Sequence, residues 1–271
     1  EITEIKNMYG KHTDIGIRKT IIGNEPTVKL KEIEEYIEKE PITILCSKKG
    51  WIRTIKGHLD HTNSEKYKEG DGPRFWIKAY NTDKLILFGD NGRFYNINVE
   101  KLPSGRGFGD PVRSLIDLPG ETDLVAMFTN QKERRILLCS SDGKGFLISE
   151  DDIIAQTKSG KQVMNLKKGS YAKVCTPADG DLIATIGENR KILIFPIAEL
   201  PVMNKGRGVT LQKYRDGKLS DAICFFKKNG LYWHSGKKIR IENNFQQWIG
   251  KRSNAGRLAP KGFPRNNRFT L

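Results

Sequence analysis

Runs of three to five mostly apolar residues recur along the chain, each followed by a short polar turn and a stretch in which apolar and polar positions alternate. Ile42-Thr43-Ile44-Leu45-Cys46 turns at Lys48-Lys49-Gly50 into Trp51-Ile52-Arg53-Thr54-Ile55. Leu85–Phe88 turns at Asp90-Asn91-Gly92 into Arg93–Ile97, and Arg135–Cys139 turns at Ser141-Asp142-Gly143 into Lys144–Ile148. Leu182–Thr185 turns at Glu188-Asn189-Arg190 into Lys191–Phe195, and Gly230–His234 turns at Ser235-Gly236 into Lys237–Ile241. Alternation around a glycine-bearing turn predicts a β-hairpin at each copy. A tight hairpin turn needs positive φ, which glycine supplies without steric cost. That assigns the left-handed position to Gly50, Gly92, Gly143 and Gly236, with Asn189 standing in for glycine in the fourth copy.

These turn positions are spaced 42, 51, 46 and 47 residues apart. A period of about 40–50 residues made mostly of strand marks propeller blades, because a lone hairpin cannot bury its apolar face and stacked ones can. Phe75–Tyr80, Leu124–Phe128 and Ala172–Cys175 supply further strands between hairpins. The expected fold is all-β, a five-bladed propeller-like domain over residues 41–263. Residues 1–40 read as a net acidic linker or lead-in, in which Lys29–Lys39 suits a short amphipathic helix, and residues 264–271 as a basic tail.

Charge adds a direction to this picture. The 271 residues carry a formal net charge of +15, but residues 201–271 hold 16 basic and 3 acidic side chains, against 31 and 29 in residues 1–200. Such a field favours a polyanionic partner, nucleic acid first among them. No apolar run is long enough to cross a membrane as a helix. The start at Glu1 without Met or signal sequence suggests a piece of a larger cytosolic protein. Cys46, Cys139, Cys175 and Cys224 show no CxxC pairing and sit in or beside apolar runs, so buried free thiols are expected. His58 and His61 lie close in sequence, but a metal there would need ligands from elsewhere, and a polar loop is the simpler expectation.

Basic glycine-rich loops follow four of the hairpins: Leu102–Asp110, Thr157–Gln162, Leu200–Gly208 and Gly250–Arg257. Glycine bares backbone N–H groups and lets the main chain approach a phosphate, while Lys and Arg supply charge. Ordinary inter-blade turns would also be rich in Gly and Ser. None of the loops is a GxGxxG or GxxxxGK[ST] motif, and no Gly-x-Ser-x-Gly elbow is present. The sequence therefore gives no support to an enzyme site, and metal and cofactor ligands are not expected in this segment.

The residues Glu40–His58, Leu102–Gly107, Lys144-Gly145-Phe146 with Asn165-Leu166, and Phe195-Pro196 to Lys205-Gly206-Arg207-Gly208 resemble the C-terminal domain of the A subunit of bacterial DNA topoisomerase IV, a relative of gyrase A. The resemblance covers about Ile17 to Phe263. It implies a β-pinwheel, a propeller variant with strands exchanged between blades, in an open ring. It implies duplex DNA as partner, bound and bent through phosphates on the outer rim to present a segment for strand passage. The expected contacts are Arg53, Lys56, Arg93, Arg106, Lys158, Lys161, Lys205, Arg207, Lys237, Lys238, Lys251 and Arg252. The catalytic tyrosine, ATP and Mg would belong to other domains of a cytoplasmic, nucleoid-associated parent at or near the inner membrane. That parent would be a heterotetramer with an ATPase B subunit, and the fragment itself monomeric. Glu1–Gly10 would be the last helix of the upstream core. The strongly basic glutamine-led box of gyrase is absent, its nearest analogues being the loops at Arg106 and Arg207. A gyrase A DNA-wrapping domain and a propeller used for protein interaction stand as alternatives.

Overall fold

The structure, a computed structural model, describes residues 1–17, 38–60, 65–105, 107–236 and 238–270. The chain divides into two compact units, Glu1–Glu38 and Lys39–Leu271. Within the first, α1 (Ile2–Tyr9) leaves Ile2, Ile5, Met8 and Tyr9 exposed. The helix expected at Lys29–Lys39 falls almost wholly outside the described residues.

The second unit is built from antiparallel ladders. A hairpin of β1 (Pro41–Ser47) and β2 (Trp51–Lys56) is joined on its β1 side by β3 (Pro73–Tyr80). The next hairpin, β4 (Lys84–Gly89) and β5 (Arg93–Asn98), begins sheet 2. The chain then steps back to sheet 1, where β6 (Asp110–Pro111) pairs with β2, before β7 (Leu124–Thr129) returns to β4. The same zigzag repeats. After hairpin β8 (Arg135–Ser140) and β9 (Lys144–Ser149), β10 (Lys161–Gln162) closes sheet 2 on β5, and β11 (Ala172–Pro177) pairs with β8. After β12 (Leu182–Gly187) and β13 (Lys191–Pro196), β14 (Val209–Thr210) closes sheet 3 on β9, and β15 (Leu219–Phe225) pairs with β12. The hairpin β16 (Leu231–Ser235) and β17 (Lys238–Glu242) is followed by β18 (Arg257–Leu258), which closes sheet 4 on β13. Four sheets thus have four strands each, and the fifth has two.

The apolar runs follow from this stacking. Leu85 and Leu87 of β4 pack against Ile42, Ile44 and Ala79 of sheet 1, while Ile86 and Phe88 pack against Ile136, Leu138 and Phe146 of sheet 3. A strand buried on both faces must be apolar throughout, so alternation survives only in the hairpins' second strands. Two further cores join sheet 3 to sheet 4 and sheet 4 to the fifth hairpin. The third strand of each four-stranded sheet lines a central cavity of about 450 Å³ (Phe75, Val125, Val174 and Ala222 among its walls), which places the exchanged strands at the outer rim.

The structure corrects the fourth turn. The left-handed residue is Arg190 (φ 61°), whose N–H donates to Gly187 O at 2.9 Å, as Gly92 does to Gly89 and Gly143 to Ser140. Asn189 instead accepts from Lys191 N through its side chain. Arg190 gains a compensation: its guanidinium donates to Pro264 O, Asn267 Oδ1 and Phe263 O at 3.0–3.2 Å. Residues expected to form a basic tail are accordingly packed into the domain. Phe269 is fully buried among Phe263, Trp233 and Leu231, and His234 N donates to Phe269 O at 2.8 Å. The tail thereby occupies the side of β16 that a third strand takes in the other sheets.

Candidate nucleic-acid interface

Each exchanged strand is preceded by a glycine in the left-handed region: Gly109 (φ 82°), Gly160 (φ 72°), Gly208 (φ 74°) and Gly256 (φ 75°). A Cβ on any of them would collide with the carbonyl oxygen of the second residue in the neighbouring hairpin strand, respectively Ile52, Phe94, Gly145 and Ile192. Close backbone approach, not phosphate binding, therefore accounts for these glycines. The chain upstream is pinned too: Thr54 N donates to Pro103 O at 2.8 Å and Leu147 N to Pro201 O at 3.0 Å, while Gly250 N donates to Ile194 O at 2.9 Å. Each sheet so presents a fixed rim segment at the same place.

The candidate cations divide into two groups. Arg53 is 5% exposed; its guanidinium donates to Gly107 O at 2.8 Å and pairs with Glu65 at 2.7 Å, holding the first rim loop from beneath. Arg93 donates to Ser159 O at 2.7 Å and Gln162 Oε1 at 3.0 Å, and half-buried Arg252 donates to Thr210 O at 2.6 Å. These three arginines are latches of the strand exchange, and their forks are already occupied. Lys161 Nζ donates to Asp152 O, Lys56 stands 3.9 Å from Glu40, and Arg207 lies 3.9 Å from Asp142 with half its side chain exposed. Lys158, Lys205, Lys238 and Lys251 are exposed and bond through their side chains to none of the described residues. Arg106 and Lys237 lie outside the described residues. His58 Nε2 sits 2.9 Å from Ala79 O, and no cluster of metal-ligating side chains occurs among the described residues.

Sequence reasoning passed over Arg257. It is exposed, begins the exchanged strand directly after Gly256, and corresponds to Lys161 after Gly160. The signal was the Gly-basic pair at the head of an exchanged strand, invisible until the exchange itself is known. The cysteines are uninvolved: Cys46, Cys139 and Cys224 are buried, and loss of solvation pushes the Cys46 and Cys224 thiols up to about 12.

Stacked four-stranded sheets with exchanged outer strands define a β-pinwheel of the gyrase A C-terminal class. A family model described as DNA gyrase C-terminal domain, beta-propeller, matches residues 83–109, 134–174 and 181–224, the stretches that contain the second, third and fourth hairpins. The chain belongs to the family of C-terminal domains found in the A subunits of DNA topoisomerase 4. It is 43% identical over its whole length to the Rickettsia bellii protein of that name and 42% identical over 99% of its length to the one from Caulobacter vibrioides. It spans 37% and 36% of those two relatives. The solved E. coli ParC C-terminal domain superposes with a TM-score of 0.73 at 26% identity, covering 83% of this chain and 96% of that one. The gyrase A C-terminal domain, at 17% identity and a TM-score of 0.57, covering 80% of this chain and 76% of that one, shares the fold.

Proposed function

We propose that the domain binds duplex DNA along its outer rim through phosphates, bending it as the non-catalytic arm of a type II topoisomerase and presenting a segment for strand passage. The observation that carries this is the recurrence, once per sheet, of a rigid rim segment whose basic content rises along the ring. Residues 102–111 hold one basic residue, 154–162 and 200–210 two each, and 249–258 three. The topoisomerase IV and gyrase likeness supports the same partner.

Structural duty removes Arg53, Arg93 and Arg252 from the front of the contact set. Lys158, Lys205, Arg207, Lys238, Lys251 and Arg257 lead it, with Lys56 and Lys161 as secondary contacts and Arg106 and Lys237 retained from the sequence. Phosphate contacts position DNA without reading its sequence. The catalytic core of the same polypeptide would supply cleavage, and a separate ATPase partner would supply the ATP chemistry.

With about four to six phosphates neutralised, affinity falls by about 10²–10³ between 50 and 200 mM salt. Fluorescence anisotropy with a random-sequence duplex measures this, and a flat response refutes the electrostatic account. Lys205→Glu with Lys251→Glu weakens binding and lowers the salt slope while leaving the unfolding transition in place.

A further inference from the structure

The repeat calls for a strand that sheet 5 does not have. In sheets 1 to 4 the first two residues of the hairpin's second strand pair with the exchanged strand: Trp51 and Ile52, Arg93 and Phe94, Lys144 and Gly145, Lys191 and Ile192. Their counterparts in sheet 5 are Lys238 and Ile239, and among the described residues no strand pairs with that edge of β17. Lys238, Ile239, Arg240 and Ile241 are all exposed, the two isoleucines at 59% and 60%. An uncovered edge carrying exposed isoleucines is a template for another strand.

Register fixes the chemistry of what would fit. Residues opposite one another in an antiparallel pair share a face, so Ile239 and Ile241 lie with His234 and Tyr232, and Lys238 and Arg240 with Ser235 and Trp233. A strand added to β17 sets one row of its side chains beside the isoleucines and the other beside the two cations. Cross-strand pairing then favours aliphatic residues in the first row and carboxylates in the second. Exposed Lys227 and Lys228 extend the positive field before the hairpin.

We propose that β17 is a β-augmentation site for an extended segment of alternating acidic and aliphatic residues, supplied by another protein. A second copy of this chain fits less well. Antiparallel pairing centred on Arg240 sets Lys238 against Glu242 but Arg240 against Arg240, between two chains each of net charge +15. The four exchanged strands of this domain show that two paired residues suffice when a left-handed glycine delivers them.

The test uses the full chain and a labelled peptide, acetyl-Gly-Glu-Val-Glu-Ile-Glu-amide, followed by anisotropy and by amide hydrogen exchange. The expected result is saturable binding with new protection confined to β16 and β17. Binding drops about tenfold or more for a peptide with Lys in place of Glu and for the Ile239→Thr, Ile241→Thr double variant. Threonine keeps β propensity, and unchanged circular dichroism and DNA affinity verify that the variant folds and that the rim is intact. Absence of new protection in β17, or equal binding of the lysine peptide, overturns the proposal. So does concentration-dependent dimerisation that protects β17 without peptide, which assigns the edge to a second copy, or protection by duplex DNA alone, which assigns it to nucleic acid.

Discussion

Sheet 1 and sheet 5 stand at the two ends of the same repeat and solve the problem of an end in different ways. The face of sheet 1 turned away from sheet 2 carries Thr43, Leu45 and Ser47, all buried beneath the segment that joins β2 to β3. That segment is bonded down residue by residue: Thr43 Oγ1 to Gly57 O at 2.7 Å, Trp76 Nε1 to Leu59 O at 2.8 Å, Lys49 N to Asp71 Oδ1 at 3.0 Å, and Arg53 to Glu65. Sheet 5 has no such cover over Ile239 and Ile241, and its order comes instead from the chain terminus, which buries Phe263 and Phe269 on the opposite face. A stack of repeats needs a polar cap at each end unless something else covers it. One end is capped by polar contacts made locally; the other is held by aromatic burial and left open on one side.

If that contrast is correct, Phe269→Ala has the largest effect. Emptying a fully buried aromatic site costs about 3–5 kcal/mol, and hydrogen exchange should show it in β16 and β17 while β1 and β2 keep their protection. Uniform loss across all five hairpins would show that the ends are not separable. Next comes Arg53→Lys at the capped end. The ammonium cannot serve both Gly107 O and Glu65, so about 1.5–3 kcal/mol is lost, as for hydrogen bonds to charged groups, and urea unfolding with Trp51 as the local probe measures it.

A smaller difference separates two changes at Arg190. Both Arg190→Ala and Arg190→Gly release the terminal clasp, but alanine keeps the left-handed strain and glycine removes it. The glycine variant should therefore be the more stable by about 1 kcal/mol, and equality would deny the strain.

The smallest effect is one of pH, and it has opposite signs at the two ends. The Arg74 guanidinium, hydrogen-bonded to Asp123, holds that carboxyl below its usual range. Its stabilisation is complete above the ordinary carboxylate value and is lost as pH falls through the lower folded one. Burial pushes Asp221 up despite N–H groups from Phe269, Ala222 and Thr270. Its contribution favours the folded state at low pH and is lost as pH rises from the ordinary value through the raised one. Asp123→Asn should flatten the acid limb of stability between about pH 3 and 5, and Asp221→Asn should not. Identical profiles for the two variants would dissolve the contrast.

Much of the fold was legible because the hairpins carry their own signals. A five-residue apolar run, a glycine turn and an alternating strand are local features, and all five hairpins stand where the pattern places them. The exchanged strands were not legible. They are two residues long, their pairing partners lie beyond an intervening hairpin, and Asp110-Pro111 or Val209-Thr210 has no strand signature of its own. The terminal segment misled for a related reason: Arg265 and Arg268 suggest a solvated tail, but Phe263 and Phe269 beside them decide its place through burial. The rim cations were found by composition, and composition cannot tell Arg93, spent on Ser159 and Gln162, from Lys251, which faces solvent. Only contacts distinguish a latch from a free charge.

Strand exchange also sets the order in which the molecule can be finished as it is made. Asp110 and Pro111, which complete sheet 1, follow the whole second hairpin in the chain, and Arg257 and Leu258, which complete sheet 4, follow the fifth. On a ribosome each sheet therefore waits, one edge unpaired, until the next hairpin has emerged. A stop inserted after any hairpin strands its predecessor as well as itself. The domain is repetitive in sequence but is not divisible at the boundaries that the sequence repeat suggests.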